Sequence, residues 1–262
     1  MNRTILTVSA FDSSGATGVA ADIKTFQTFR VYGAAVVTAI AAQNSTAVQA
    51  LHPVPMEVVA QQMEAVASDM KIHGLKTGVM ATAANVQIVA SLIEAFDLGG
   101  TFVLDPVLLA ATGESMLDPA GIDALRSKLL PLALVVTPNR HEAEVLSGIP
   151  VSDVPSAKEA ARIIHQMGPQ NVILTGGALE GSRAADIWFD GMAYHLFDAP
   201  RLATNNVLGI GHTFSAAICA MLAKGSLLGE AIERAKRYIG KAVQHPFHLG
   251  KGRGPLNHTV PM

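Results

Sequence analysis

The sequence has few aromatic residues, one cysteine and no large excess of charge. Phe, Trp and Tyr make up 5% of its 262 residues, whereas 50% are hydrophobic, so a core would be built mainly from Ala, Val, Ile and Leu. This mixture suits parallel strands that are buried on both faces, and it favours an α/β fold over a β-sandwich. The single cysteine, Cys219, excludes an intramolecular disulfide and a cysteine metal cluster.

The charge pattern and the hydropathy pattern exclude further classes. The 19 Lys and Arg residues nearly balance 21 Asp and Glu residues, and no basic run marks a polyanion-binding surface. The apolar stretches 34–42 and 216–223 are far too short to span a membrane. The N-terminal segment also lacks the hydrophobic length of a signal peptide. We therefore expect a cytoplasmic chain that binds neither nucleic acid nor a membrane.

Short β-rich runs alternate with helical patterns along the whole chain, with no repeat or linker. Such an alternation is typical of a right-handed parallel sheet that is covered by helices on both faces, here as one domain over residues 1–262. Strands are predicted at 4–10, 34–43, 75–81, 101–109, 133–139 and 171–177. Helices are predicted at 18–29, 56–70, 83–96, 118–130, 140–148, 156–168, 209–225 and 228–243.

One segment departs from this alternation. Residues 184–201 look like two short strands that join at Asp190-Gly191, a strong hairpin turn. We therefore expect an antiparallel edge on the otherwise parallel sheet.

Two glycine-rich segments each follow a strand or loop and open a helix. The first, FDSSGATG, places Asp12 and the amides of residues 15–18 at the carboxyl end of a strand, where open α/β sheets bind ligands. It matches neither GxxxxGK[ST] nor GxGxxG, and it could be only a tight turn. The second, Gly209-Ile210-Gly211-His212, offers free amides and a helix dipole to an anion, or is simply a glycine-permitted connection.

Asn139 and Glu142 lie three residues apart at the start of a predicted helix. At that spacing both side chains can point to one side, where they could orient water around Mg²⁺. The alternative is a capping asparagine followed by an ordinary first-turn glutamate.

From end to end the chain resembles the hydroxymethylpyrimidine and phosphomethylpyrimidine kinases of thiamine biosynthesis. The resemblance is carried, in order, by DSSGATGVAADIKTF, VYGAAVVTAIAAQNSTAVQ, KTGVMAT, VLDPVLLAATGESML, VVTPNRHEAEVL, ILTGGALEG, DAPRLATNN and GIGHTFSAA. It implies a ribokinase-like three-layer α/β/α fold with a mostly parallel central sheet and an antiparallel edge hairpin. It also implies phosphorylation of 4-amino-5-hydroxymethyl-2-methylpyrimidine or its monophosphate with ATP and Mg²⁺, in a homodimer.

The resemblance also implies roles for particular residues. Asp22 and Gln43 would hold the aminopyrimidine, since a carboxylate and an amide offer complementary acceptors and donors. A helix-surface acid and a loop amide are the alternatives for these two. The remaining roles implied are the substrate pocket at Ala10 and Val79, nucleotide binding at Thr175, Gly176 and Asn139, Mg²⁺ held through water by Asn139 and Glu142, and an anion hole at Gly209, Ile210 and Gly211 with His212 as the base.

Several positions differ from the family pattern. His212 stands where the family has a cysteine, and Thr175 and Ala178 replace the lysine and histidine of KGGH. An imidazole can deprotonate a hydroxyl near neutral pH, although its bulk could obstruct the hole. Lys76 is retained and could contact a ligand or pair with an acid. Alternative functions are a pyridoxal-type kinase, or a weakly catalytic paralogue that senses a pyrimidine or a nucleotide.

Overall fold

A computed structural model describes residues 3–178 and 183–262 of the chain. Residues 179–181, the last three of the segment ILTGGALEG, therefore lie outside the described residues. The strands are β1 Thr4–Asp12, β2 Tyr32–Gln43, β3 Val48–Pro53, β4 Gly74–Thr77, β5 Phe102–Leu104, β6 Val135–Val136, β7 Val172–Leu174, β8 Arg183–Phe189 and β9 Tyr194–Pro200. The α-helices are α1 Gly18–Thr28, α2 Met56–Ala67, α3 Ala83–Ala95, α4 Pro119–Ala124, α5 Arg140–Ser147, α6 Val154–His165, α7 Ile210–Ala223 and α8 Leu228–Gln244.

The strands form one sheet in the order β3-β2-β1-β4-β5-β6-β7-β8-β9. Pairing is parallel from β2 through β7 and antiparallel at both edges, where β3 joins β2 and the β8–β9 hairpin joins β7. The predicted parallel sheet and its edge hairpin are confirmed. The second antiparallel edge, β3, was not predicted from the sequence.

Helices cover both faces of the sheet, which confirms the three-layer architecture. Side chains alternate along each strand, so Ile5 of β1 packs with α1, α7 and α8, while Leu6 and Val8 pack with α2 to α6 on the other face. Phe29 and Tyr238 meet edge to face in the first of these layers, with ring centroids 5.2 Å apart. Both faces of the central strands are thus dry, as parallel sheets require.

The helix predicted over 118–130 is interrupted. Regular α-helix ends at Ala124 and gives way to a π-helical turn, Leu125–Leu129, and a 3₁₀ turn, Leu130–Leu132. Pro131 has no amide hydrogen and its ring would clash with the carbonyl one turn earlier, so an α-helix cannot continue through it.

The direction of chain connection reverses at β1. The chain passes from β1 to β2 on one side and later returns through α2 to β4 on the other side. Such a switch point opens a crevice beyond the carboxyl ends of the two strands, the usual ligand site of open α/β sheets. Within residues 3–178 and 183–262, no helix is both long enough and apolar enough to cross a membrane.

Candidate active site

A cavity of about 280 Å³ lies at this crevice. Its size is near the lower end of the range for small-molecule sites. It is lined from the ends of β1, β2, β4, β5 and β6 and from the start of α7. The predicted site residues that line it are Ala10, Gln43, Val79, Asn139, Glu142, Gly209, Ile210, Gly211 and His212.

The first glycine-rich loop is fastened by the carboxylate of Asp12, which also lines the cavity. Asp12 accepts hydrogen bonds from the amides of Ser14, Ala16 and Thr17 at 2.8, 3.2 and 2.9 Å. The loop ends at Gly18, whose φ is +58° and where a Cβ would lie 2.0 Å from the Ala10 carbonyl oxygen. Only glycine fits there. The conformation of the loop is therefore fixed by the Asp12 carboxylate and by Gly18.

The second glycine-rich turn packs directly on this loop. Gly209 has a φ of +86°, and a Cβ on it would lie 2.1 Å from the Ala16 carbonyl oxygen. Gly211, in contrast, has open space around its Cβ position. The amides of Gly211 and His212 lie in the first turn of α7, where no intrahelical carbonyl accepts them, and the helix dipole adds positive potential. Ile210 differs, because its amide donates to the Val207 carbonyl at 3.4 Å.

A buried charge network lies beneath this turn. Lys76 Nζ is 3.0 Å from both Asp22 carboxylate oxygens, 3.6 Å from Asp105 Oδ2 and 3.4 Å from His212 Nδ1. Ser215 Oγ donates to Asp105 Oδ2 at 3.0 Å. Burial, followed by the Lys76 charge, lowers the pKa of His212, while the nearby carboxylates oppose this change. The net effect favours the neutral imidazole.

Asn139 and Glu142 form the acidic wall of the cavity. The Asn139 amide donates to Glu142 Oε2 at 2.8 Å, and the Glu142 amide donates to Asn139 Oδ1 at 3.0 Å. The two residues therefore form a capping box at the start of α5. Burial raises the pKa of Glu142 well above its ordinary value, and the Asp105 charge raises it further. A cation at this wall would favour the ionised form of Glu142.

The opposite wall of the cavity has the small apolar side chains of Ala10 and Val79 and the side-chain amide of Gln43. Ala10 and Val79 are both 3% exposed, and Val79 donates its amide to Ser9 Oγ at 3.0 Å. The backbone of Gln43 is fixed by Ser13 Oγ, which lies 3.1 Å from both its amide nitrogen and its carbonyl oxygen. Among the described residues, none forms a hydrogen bond with the half-buried Gln43 side-chain amide. It is therefore available to a ligand in the cavity.

Three predicted site residues do not line the cavity. Asp22 is fully buried, where it accepts from Thr7 Oγ1 at 2.6 Å and pairs with Lys76. Thr175 and Gly176 lie beyond β7. Thr175 donates its amide to the Pro138 carbonyl at 2.9 Å, and Gly176 donates its amide to Asp186 at 2.8 Å.

Asp22 therefore acts as the counter-ion of Lys76 in this structure and not as a wall of the cavity. Desolvation of a lysine that has no anionic partner would be costly, which is why the two are buried together. The alternative considered from the sequence, that Lys76 pairs with an acid, is what the structure shows.

Sequence reasoning missed Asp105 as a site residue. It follows β5 directly, lines the cavity and touches Lys76, His212 and Ser215. The signal was available, because an aspartate ahead of a proline at the carboxyl end of a central strand stands where ligands bind.

Comparison with known proteins agrees with this geometry. The family model for phosphomethylpyrimidine kinase matches residues 12–257. The chain is 39% identical over 258 residues to the hydroxymethylpyrimidine/phosphomethylpyrimidine kinase of Synechococcus elongatus, covering 98% of this chain and 97% of that protein. It is 43% identical over 256 residues to the thiamine biosynthesis bifunctional protein ThiED of Geobacter sulfurreducens, covering 98% of this chain but only 52% of that protein.

Solved structures show the same fold. An ADP complex of Bacillus subtilis pyridoxal kinase superposes with a TM-score of 0.91 at 35% identity, covering 99% of this chain and 98% of that one. Staphylococcus aureus pyridoxal kinase in complex with AMP-PCP and pyridoxal gives 0.91 at 32% identity, covering 98% and 94%. Phosphomethylpyrimidine kinase from Clostridium difficile gives 0.82 at 32% identity, covering 92% and 100%.

Proposed function

The chain belongs to the phosphomethylpyrimidine kinase family, and from this premise we propose that it phosphorylates 4-amino-5-hydroxymethyl-2-methylpyrimidine, its monophosphate, or both, with ATP. The observation that carries the proposal is that one cavity joins three features. They are a free side-chain amide at Gln43, the glycine turn at residues 209–212 with open amides at Gly211 and His212, and the acidic pair of Glu142 and Asp105.

Recognition of the pyrimidine would use the wall formed by Ala10, Gln43 and Val79. A planar ring fits between small side chains, and the Gln43 amide can both donate to a ring nitrogen and accept from the exocyclic amino group. Asp22 would act on the ring only indirectly, through Lys76 and His212.

Phosphoryl transfer would take place at the 209–212 turn. The hydroxymethyl or phosphate oxygen of the substrate attacks the γ-phosphorus in line, the bond to the bridging oxygen breaks, and ADP leaves with that electron pair. The open amides of Gly211 and His212 meet the charge on the equatorial oxygens, which is where electrostatic stabilisation counts most. His212 is the side chain of this turn that would touch the transferred group.

The residues of the acidic wall fit Mg²⁺. Oxygen ligands suit this ion, which usually keeps several waters and takes one or two carboxylates together with substrate phosphates. Glu142 supplies such a carboxylate, with the exposed side chain of Asn139 beside it. The described residues hold no cluster of three or more His, Cys, Asp or Glu ligands for a metal. When bound, Mg²⁺ would neutralise charge on the nucleotide phosphates.

The nucleotide would extend from Asn139 toward Thr175 and Gly176. Gly176 is fixed there because a Cβ would lie 1.9 Å from the Ala185 carbonyl oxygen, and its amide is held by Asp186. Thr175 stands where the family pattern has a lysine, so this position supplies no positive charge to the nucleotide phosphates. Stabilisation of the phosphate charge would therefore depend more heavily on the 209–212 turn and on Mg²⁺. Since ATP is a cytoplasmic metabolite, the proposed reaction belongs to the cytoplasm.

A homodimer is part of this proposal. Tyr32, Ile40, Met56 and Val58, which lie on β2 and at the start of α2, are large hydrophobic residues that are 42–58% exposed. Burial of such side chains against a second copy would remove their apolar surface from water. Light scattering of the purified protein is expected to give twice the mass of one chain, and a monomer at micromolar concentration would contradict it.

A pyridoxal-type kinase is the second candidate, because two pyridoxal kinase structures superpose more closely than the Clostridium difficile phosphomethylpyrimidine kinase. The sequence comparisons favour the pyrimidine, since curated relatives at 37–41% identity are hydroxymethylpyrimidine/phosphomethylpyrimidine kinases.

Steady-state ADP release tests the proposal. The purified protein is assayed with ATP and Mg²⁺ and with the hydroxymethylpyrimidine, pyridoxal or no acceptor. We expect release that depends on the pyrimidine and is abolished by EDTA. Release that does not depend on any acceptor, or that only pyridoxal stimulates, would contradict the proposal. Tight binding of the pyrimidine without turnover would instead support the sensor alternative.

A further inference from the structure

The imidazole of His212 has two different environments. Its Nδ1 faces the buried ammonium of Lys76 at 3.4 Å, whereas the ring also lines the cavity. Within the described part of the chain, the hydrogen bonds and ion pairs of this ring involve only Nδ1. The other nitrogen, Nε2, is therefore the one that can meet a ligand.

The Lys76 ammonium determines where the ring proton lies. An ammonium group has three donors and no acceptor, so a neutral imidazole beside it must turn a lone pair toward it. A proton on Nδ1 would point at a cation, and its nearest carboxylate oxygen, Asp105 Oδ2, is 3.7 Å away, beyond hydrogen-bond range. Nδ1 is therefore the acceptor, and the single ring proton lies on Nε2.

We infer that His212 is a hydrogen-bond donor to the transferred phosphoryl group, not a general base, and that Lys76 is the positioning residue that fixes it in this form. This inference rests on the proposed kinase function and changes the role that the sequence indicated for His212. The ligand class is a phosphoryl oxygen at the 209–212 turn.

The chemistry of phosphoryl transfer is compatible with a donor at this position. In a loose transition state the attacking oxygen needs little activation, and catalysis depends mainly on positioning and charge stabilisation. The substrate hydroxyl can keep its proton until the new P–O bond has formed and then release it to an oxygen of the phosphate product. An Nε2–H group next to the Gly211 and His212 amides adds a third donor to the anion hole.

The charged groups around the ring maintain this state. Lys76 lies on β4, Asp105 follows β5, Asp22 lies on α1, and Asp12 ends β1. Asp22 holds Lys76 by two contacts of 3.0 Å, so the ammonium stays directed between Asp105 and His212. Asp22, Lys76 and His212 thus form a continuous chain of polar contacts from α1 to the cavity.

Nitrogen-15 NMR of the full-length protein, with labelled histidine and assigned through the variant His212→Gln, tests the tautomer directly. We expect a protonated Nε2 and an unprotonated Nδ1 at neutral pH. A proton on Nδ1, or rapid averaging of both forms, would overturn the inference. Because this measurement needs no turnover, it is decided even if the proposed kinase activity is not found.

Two substitutions of His212 test the catalytic role. In His212→Gln, the side-chain amide places an N–H near the position of Nε2 but cannot act as a base, whereas in His212→Asn it is too short to do so. We expect the glutamine variant to keep kcat within about tenfold of the native protein and the asparagine variant to lose on the order of 10²–10³-fold. Equal losses in both variants would favour a base and refute the donor.

Lys76→Met tests the positioning role. Since this change leaves the Asp22 carboxylate buried without its partner, the double variant Lys76→Met/Asp22→Asn is made alongside it to preserve folding. In the double variant we expect nitrogen-15 signals from both tautomers of His212, and a lower kcat with little change in the KM for ATP. An unchanged Nε2–H signal in the folded double variant would exclude Lys76 as the positioning residue.

Discussion

Gly211 offers a nearly pure test of the anion hole, because the structure leaves room for a side chain there. No heavy atom lies within 4 Å of the position that a Cβ would take, and the residue is in the first turn of α7 without a positive φ. Alanine or valine can therefore be accommodated by the protein, and because Gly211 lines the cavity, the added methyl groups would take up space in the proposed phosphoryl site.

The open space and the helical conformation at Gly211 determine how its variants should change stability and activity. Gly211→Ala should leave the free energy of unfolding unchanged or raise it by up to about 1 kcal/mol, because alanine is the better helix former. Catalysis should fall, since a side chain that displaces the phosphoryl group from the Gly211 and His212 amides weakens donor contacts that are each worth about 10²–10³-fold in kcat. We expect a loss of about tenfold or more for alanine and the full loss for valine, which fills more of the space.

The assay is ADP release with the hydroxymethylpyrimidine, together with chemical denaturation of each variant. Gly240→Ala is the matched control, because Gly240 is also helical and has no atom within 4 Å of its Cβ position, but it does not line the cavity. It should show a similar change in stability without the loss of activity. Native kcat and KM in a folded Gly211→Val variant would refute the assignment of the turn.

Three other predictions address the substrate wall, a buried histidine and a buried ion pair. Gln43→Ala should weaken pyrimidine binding by about 1–3 kcal/mol in calorimetry, with little change in stability, because a ligand hydrogen bond is lost. Burial lowers the pKa of His258 to about 4 from 6.5, so its stabilising contribution is complete above pH 6.5 and is lost as the pH falls toward 4. His258→Gln should therefore flatten the fall in unfolding free energy over this range by up to about 3 kcal/mol. Lys236→Met should destabilise the fold by about 2–3 kcal/mol, because it leaves the Asp186 carboxylate, 2.7 Å from Lys236 Nζ, without its cation.

A different result would contradict each of these three predictions. Unchanged pyrimidine affinity in folded Gln43→Ala removes this residue from the site. Parallel pH curves for His258→Gln and the native protein would show that His258 titrates alike in the folded and unfolded chains. If Lys236→Met/Asp186→Asn is no more stable than Lys236→Met alone, the ion pair is not what stabilises this edge of the sheet.

The sequence pattern predicted the central sheet because its strands are buried on both faces. Runs such as 133–139 and 171–177 are short, apolar and rich in β-branched residues, and helices of regular spacing separate them, so local composition and tertiary position agree. The hairpin at Asp190-Gly191 was equally predictable, since its turn chemistry is local.

The strand β3 illustrates what the pattern could not supply. Val48–Pro53 has a polar residue, a histidine and a proline among its six residues, and most of it is half-buried or exposed. Its extended form depends on antiparallel pairing with Ala39–Gln43, which tertiary contact provides and intrinsic propensity does not.

The candidate site was predicted where it is built from loops at strand ends, as at Gln43 and Gly209. It was not predicted where a residue acts through a distant partner. Asp22 resembles a helix-surface acid in sequence, and its role depends on Lys76, 54 residues later. The strand-end position of Asp105 was visible in the sequence, but its contacts with side chains from β4 and α7 are tertiary and were not.

A competition experiment can decide whether the protein phosphorylates a hydroxymethylpyrimidine in this cavity. The protein is given equal concentrations of 4-amino-5-hydroxymethyl-2-methylpyrimidine and pyridoxal with Mg²⁺ and limiting ATP, and both phosphorylated products are quantified by mass spectrometry. Their ratio gives the ratio of the two kcat/KM values. We expect that the pyrimidine phosphate predominates and that Gly211→Val forms neither product. Predominance of pyridoxal phosphate, or undiminished product formation by Gly211→Val, would contradict this expectation.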